Sequence, residues 1–411
     1  MSQQGPIIVV SNDEERSSFT RALDDAKLFP IIDTALADAS RAVAQLQPAA
    51  VLVGPSEADE PALQALAEQI AAREPYLPLI VVDPTRALPE NALPFSQSGG
   101  KLDRLIARLR AALRVGTLHA TLMRRLDDDP ATRSKPPNAD PAHAATVLLI
   151  GRGASYPALS VALGERMGVV GALSIEAAAK HLNMRDIDGI VLGEGFSPRV
   201  VDAFLTVLAE DARFRNLPVV VTSDGLVLTY DLPNLEIISG APAYIASNAL
   251  PLIRQHAFEA LLRRTLRSID AGGLLDPRTG LLTAAAFERD LAAAVHQTLS
   301  RGGGLSLARF AFDASNSRAQ LDGARILSRL MRQMDFGALQ EDGSVVVAFA
   351  ETDLRTAHGI ARRLSSVMRH TSNGKREARS EPVVTIATLL PSDSAKALLA
   401  RLYVPTRRAA S

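Results

Sequence analysis

The 411-residue chain has no cysteine and no tryptophan, only 4% aromatic residues, and no net charge, with 45 Lys plus Arg against 45 Asp plus Glu. Without cysteine there are no disulfides, thiolate metal sites, iron–sulfur clusters or cysteine nucleophiles. Zero net charge gives no long-range pull toward bulk nucleic acid or an anionic membrane, so neither is an expected partner. No run approaches the ~18 apolar residues of a membrane span, and the start, MSQQGPIIVVSNDEE, lacks a basic, apolar leader; a soluble cytoplasmic protein is expected. The seven histidines are scattered with no metal-ligand spacing. What is abundant is apolar mass, 47% of residues, enough for two to four cores at about 100–200 residues per domain. Arginine is also abundant: six of the 45 cations are lysine, leaving 39 arginines, each a fork that can grip a phosphate in two places.

Short Val/Ile/Leu runs alternate with amphipathic stretches from the start. PIIVV (6–10), LFPII, AAVLV (49–53) and LPLIVV (77–82) are separated by helical patterns, and DRLIARLRAALRV (103–115) closes the series. Such continuous apolar strands predict a parallel sheet covered on both faces. LDDDPATRSKPPNADPAHAA (126–145) has linker composition. The pattern restarts with TVLLI (146–150), VVGAL, DGIVL (188–192), LPVVVT (217–222) and LEIIS (235–239), and ends in a long helical run over 249–270. Two units of about 115–125 residues make a tandem repeat.

In strand order, length and linker placement, both units resemble the receiver domains of bacterial response regulators. That resemblance implies an acidic pair after the first strand, a phosphoacceptor Asp after the third, Thr or Ser after the fourth and Lys after the fifth. Here Ser11 and Asn12 begin the acidic position, Gly54 stands at the acceptor and Asp83 ends the fourth strand. In the second unit Gly151 and Arg152 replace the acids and Gly193 the acceptor; only Thr222 matches. Neither unit is expected to be phosphorylated in the usual way. Asp13 and Glu194 are neighbouring acids, read either as substitutes or as ordinary surface carboxylates.

After residue 270 the stretch DPRTGLLTAAAF resembles the opening D-x-x-T-G-L-x-N-R-x-x-F of GGDEF domains, which make cyclic di-GMP from two GTP; Asp276, Thr279, Gly280, Leu281 and Phe287 match. A strand (305–313), a helix, a hairpin, a second helix and a strand (383–390) follow, the order of a ferredoxin-like core. The resemblance covers about 272–405, and the whole chain is similar to the PleD-like and PopA-like group of two-receiver GGDEF regulators. The fold class expected is therefore α/β: two flavodoxin-like, doubly wound receiver domains followed by an α+β ferredoxin-like GGDEF domain. The expected boundaries are 1–117, a linker over 118–145, 146–270 with its connecting helix, and 271–411.

The catalytic positions implied by that family are largely lost. The signature hairpin falls on Glu341, Asp342, Gly343, Ser344 and Val345; the first metal carboxylate falls on Ala311, with Asp313 keeping the second; the guanine-binding Asn is Thr283; a late Lys falls on Thr406. A shifted register could enlist Glu341 and Asp342 with Asp313, whereas Asp-Gly between two apolar strands also reads as a tight hairpin turn. No catalytic residue is assigned, and Mg²⁺ is expected only if the chain is a weak diguanylate cyclase. The family's inhibitory R-x-x-D, five residues before the signature, does have a match: Arg332 and Asp335, then FGALQ, with a further family arginine falling on Arg363. A guanidinium can fork onto phosphate or the guanine O6/N7 edge, and a carboxylate accepts from guanine N1 and N2. An i,i+3 surface ion pair is the alternative. The expectation is a non-catalytic cyclic di-GMP effector or scaffold needing no cofactor, homodimeric, with partner proteins on its receiver-like domains; a nucleotide-free adaptor stands as the other alternative. GRGASYPALS lacks a complete phosphate-loop pattern, and LLRRTLRS (261–268) reads as a solvated helix face.

Overall fold

The protein is described from a computed structural model, covering residues 5–11, 23, 30–54, 60–97, 103–128, 140–222, 230–368 and 381–403. Asn12, Asp13 and Thr406 lie outside the described residues. The chain divides into two compact units, Met1–Ala179 with Ile187–Leu262, and Lys180–Asp186 with Arg263–Ser411.

The first unit contains two parallel sheets. In chain order its elements are β1 (Ile7–Val10), β2 (Ile31–Thr34), α1 (Leu36–Leu46), β3 (Ala50–Val53), α2 (Glu60–Ala71), β4 (Leu79–Val82), β5 (Ala92–Phe95) and α3 (Asp103–Asp128), then β6 (Thr146–Ile150), α4 (Tyr156–Gly164), β7 (Gly168–Ala172), α5 (Ile175–Met184), β8 (Gly189–Leu192), α6 (Pro198–Glu210), β9 (Val219–Val221), β10 (Leu235–Ile237) and the long α7 (Pro242–Asp270). The sheet orders are β2-β1-β3-β4-β5 and β7-β6-β8-β9-β10, the same 2-1-3-4-5 doubly wound order twice. Alternate residues of β1 and β3 serve opposite faces: Ile8, Val10, Val51 and Val53 pack on α1 and α2, whereas Ile7, Val9 and Leu52 face α3.

Two features depart from the sequence reading. β5 has no counterpart there, because Pro94 interrupts a four-residue run and ordinarily demotes a strand; at the sheet edge the missing N–H costs no ladder bond. Helix α3 continues to Asp128, so 118–128, expected to begin the linker, is helical. It stays helical because it has a packing face: Leu122 is buried, and His119 meets Phe258 of α7 edge-on with ring centroids 5.2 Å apart.

The two sheets share one continuous core. Phe95, Leu105, Leu109 and Ala112 from the first half join Val147, Leu149, Ala249 and Ile253 from the second in a single buried cluster. A buried charge network crosses the same seam: the fully buried Arg108 bonds Glu236 at 2.7 Å, Pro94 O at 2.5 Å and Pro233 O at 2.6 Å, while Glu236 also accepts the Ser96 N–H at 2.9 Å. Arg104 adds a bond to Leu235 O at 2.6 Å.

The second unit carries α8 (Ala284–Arg301), β11 (Leu305–Ala311), α9 (Ser317–Leu330), β12 (Phe336–Leu339), β13 (Val345–Ala350), α10 (Leu354–Met368), β14 (Val383–Thr388) and α11 (Ala395–Ala400). Its antiparallel sheet has the order β12-β13-β11-β14, the split β-α-β arrangement of a ferredoxin-like fold. Strand alternation again sorts the core: Val345, Val347 and Phe349 meet α9 and α10, and Val346 and Ala348 meet Phe287 and Leu291 of α8. Among the described residues no helix is long and apolar enough to cross a membrane.

Candidate functional site

The GGDEF-like opening motif builds a turn. Asp276 Oδ1 accepts the N–H groups of Arg278 and Thr279 at 2.8 and 2.9 Å and the Thr279 hydroxyl at 3.2 Å. Gly280 follows with φ +77, a left-handed conformation that suits glycine. The turn is then tied down, Leu282 N–H bonding Gly337 O of β12 and Arg325 of α9 bonding Arg278 O at 2.9 Å. Thr283, at the position of the guanine-binding Asn, is the N-cap of α8 and accepts the Ala286 N–H at 3.4 Å. The matching residues are thus shape-determining ones, and the substituted position does capping work.

The hairpin at 340–344 is a closed turn. Gln340 N–H bonds Ser344 O at 2.8 Å, Gly343 N–H bonds Gln340 O at 3.0 Å, and Gly343 has φ +76. Asp342 folds back onto this turn, accepting the Ser344 hydroxyl at 2.6 Å and its N–H at 3.0 Å. The other Asp342 oxygen accepts from Arg309 of β11 at 2.7 Å, and Arg309 Nε donates to the Ser344 hydroxyl at 3.1 Å. Arg309 stands two residues before Ala311, on the same face of β11, and its guanidinium lies 4.4 Å from the Tyr403 ring centroid. A cation therefore already neutralises the hairpin carboxylate, on the strand face where a metal-holding acid was expected. Gln320 of α9 lies against Gly343 so closely that a Cβ there would clash, and the Phe312 ring covers Gly323 in the same way.

Asp313 turns to solvent and accepts the Ser315 hydroxyl and N–H at 2.7 and 2.9 Å; these bonds hold its carboxyl below the usual range. Glu341 is exposed. Among the described residues no group of three or more acids and histidines could hold a metal ion.

At Asp342, burial pulls the carboxyl pKa up, but bonds from Ser344 and Arg309 outweigh it and hold the group below the usual carboxylate range. A depressed folded pKa stabilises the fold above the unfolded value of about 3.9, and that stabilisation is lost as pH falls through the lower folded value. Arg309→Ala is expected to raise the Asp342 pKa in a carboxyl NMR titration; an unchanged titration would show that the contact does not persist in solution.

The R-x-x-D residues are divided. Arg332 and Arg363 are exposed, Arg332 just after α9 and Arg363 on α10, and neither guanidinium forms a salt bridge among the described residues. Asp335 is 8% exposed, and its carboxylate turns inward. It accepts the Arg332 N–H at 3.3 Å and the Ala350 N–H of β13 at 3.3 Å. Burial raises its pKa, opposed by those two bonds and by the Arg332 charge. Through these two bonds the Asp335 carboxylate ties the α9–β12 loop to β13 and satisfies two backbone donors.

In the first unit, glycines stand at the strand ends where the receiver resemblance places a phosphoacceptor. Gly54 and Gly193 are buried, their N–H groups bonded to Val10 O at 2.9 Å and Ile150 O at 2.7 Å. Asp83 caps the β5 exit by accepting the Gln97 N–H at 2.7 Å, and the Thr222 hydroxyl donates to Leu192 O at 3.4 Å. Arg152 bonds Gly195 O at 3.2 Å and lies 5.0 Å from the Phe196 ring centroid, bridging two loops; Glu194 is exposed.

No family profile matches the chain, and no curated protein does. Solved structures resemble about a third of it. The coiled coil and GGDEF domain of DgcB from Caulobacter crescentus, in complex with c-di-GMP, is similar at 15% identity over 34% of this chain and 83% of that one, with a TM-score of 0.30. A sensory box/GGDEF family protein from the same organism is 22% identical over 32% of this chain and 93% of its own, with a TM-score of 0.27. The FimX GGDEF domain from Pseudomonas aeruginosa is 19% identical over 32% and 89%, with a TM-score of 0.29. Likenesses of this size assign no role to any residue here.

Arg309 and Gln320 were not singled out from sequence. The available signal was a lone arginine inside the apolar strand LSLARFAFD, two positions before the missing acid; its partners, 33 and 35 residues away, are set by the fold.

Proposed function

We propose that the chain is a non-catalytic signalling protein of the response-regulator/GGDEF type that binds cyclic di-GMP through Arg332 and Arg363, with Asp335 holding the Arg332 loop in place. The observation that carries the non-catalytic part is the hairpin: its Asp342 carboxylate is paired with Arg309, Gln320 lies against its glycine, and Ala311 stands where the resemblance places the first metal-holding acid. Cyclising two GTP needs metal-held phosphates, and with Ala311 in place of an acid Asp313 lacks the partner carboxylate that the family pattern supplies on this strand. The ligand part is supported by the R-x-x-D spacing and by two exposed guanidiniums that form no salt bridge among the described residues and suit phosphate and guanine. The two units of order 2-1-3-4-5 are taken as receiver-like modules that work without phosphorylation, since glycines stand at both acceptor positions, and that serve as partner or dimer surfaces.

Purified protein incubated with GTP and Mg²⁺ or Mn²⁺ is expected to yield no cyclic di-GMP by chromatography. Product that disappears on Asp313→Ala would establish a weak cyclase instead. A second reading, a nucleotide-free adaptor, is favoured by the inward Asp335, which leaves no carboxylate turned out for guanine N1 and N2.

A further inference from the structure

The outward face of α10 is basic in a chain that is neutral overall. Its inward positions, Ala357, Ile360, Ala361, Leu364, Ser365 and Met368, are buried. Its outward positions include Arg355, His358, Arg362 and Arg363, all exposed, and the helix carries no acid. Arg355 and Arg362, seven residues and about 10.5 Å apart, lie on one line, flanked by His358 on one side and Arg363 on the other. Between them stand Gly359, where an added Cβ would meet nothing within 4 Å, and the small Ser366. The nearest acid in sequence, Asp353, caps the helix by accepting the Thr356 N–H at 2.7 Å, and its charge also acts on Arg355, leaving His358, Arg362 and Arg363 without an acid on their own helix.

We propose that this face docks an acidic helix of a partner protein. Carboxylates seven residues apart on such a helix match the Arg355–Arg362 spacing, and arginine forks pair with carboxylates in two places. Two other polyanions fit less well. The helix presents no aromatic residue for base stacking, and the neutral chain supplies no general attraction for nucleic acid. Leu354, at 42% exposure, is the one large apolar residue it exposes, too little for insertion into a lipid surface. The surface does not rest on the nucleotide reading, with which it shares only Arg363; partner and nucleotide would compete for that side chain.

The probe is a fluorescein-labelled helical peptide with glutamates spaced i, i+4 and i+7, titrated with the full chain by anisotropy. Binding is expected to weaken as salt rises, and Arg355→Glu with Arg362→Glu is expected to reduce affinity about tenfold or more, while Arg332→Ala leaves it unchanged. Circular dichroism checks the fold of the double variant, and Arg355→Gln with Arg362→Gln supplies a milder pair. Absence of peptide binding, or affinity unaltered in both double variants, would overturn the proposal. So would tighter binding of a single-stranded oligonucleotide or a phosphatidylserine vesicle through the same arginines.

Discussion

Glu236→Ala is expected to destabilise the N-terminal unit by about 3–5 kcal/mol, the cost of stranding a buried charge. Arg108 and Glu236 side chains are both 0% exposed and 2.7 Å apart. Removing the carboxylate leaves the Arg108 guanidinium with carbonyl partners at Pro94 and Pro233 but no counter-charge, and leaves the Ser96 N–H without its acceptor. The loss falls at the seam where the two sheets share their core, so it acts on both halves of that unit. Urea denaturation gives the value. The paired change Arg108→Met with Glu236→Leu is expected to be far milder than either single change, because it removes the desolvated charges together. A Glu236→Ala midpoint matching that of the unaltered protein would mean the network is solvated and the two sheets are separable.

Arg332→Ala and Arg363→Ala are each expected to weaken cyclic di-GMP binding about 10- to 100-fold, the range of one lost charge-assisted hydrogen bond of about 1.5–3 kcal/mol. Both side chains are exposed, and Arg332 interacts by charge with the buried Asp335, so Arg363→Ala is expected to leave stability unaltered and Arg332→Ala to change it little. Asp335→Ala is expected to act differently: it releases the Arg332 and Ala350 N–H groups and loosens the loop, weakening binding and stability together. Equal affinities for the unaltered protein and both arginine variants would remove these residues from any ligand site.

Much of the architecture was legible because parallel strands buried on both faces show themselves as continuous runs. IIVV, AVLV, LIVV and TVLLI need no neighbour to be recognised, and β13, VVVAFA, announces itself in the same way. β5 escaped because Pro94 argues locally against a strand, and only the sheet edge makes it acceptable. The far end of α3 escaped because its support, Phe258, is supplied by a helix well over a hundred residues later. At the site, Gly54, Gly193 and Ala311 could be read directly as small residues where the family resemblances place acids. The contacts around the site could not. Arg309 reaches Asp342 across a strand pair, Gln320 covers Gly343 from a helix, and Asp335 turns toward Ala350. Each contact joins residues distant in sequence, so a motif count sees the spacing of Arg332 and Asp335 and misses the direction of the carboxylate.

The account turns on whether the exposed arginines Arg332 and Arg363 hold cyclic di-GMP. Calorimetric titration of the purified full chain with cyclic di-GMP measures this directly: saturable binding is predicted, and no binding at high micromolar ligand would contradict it.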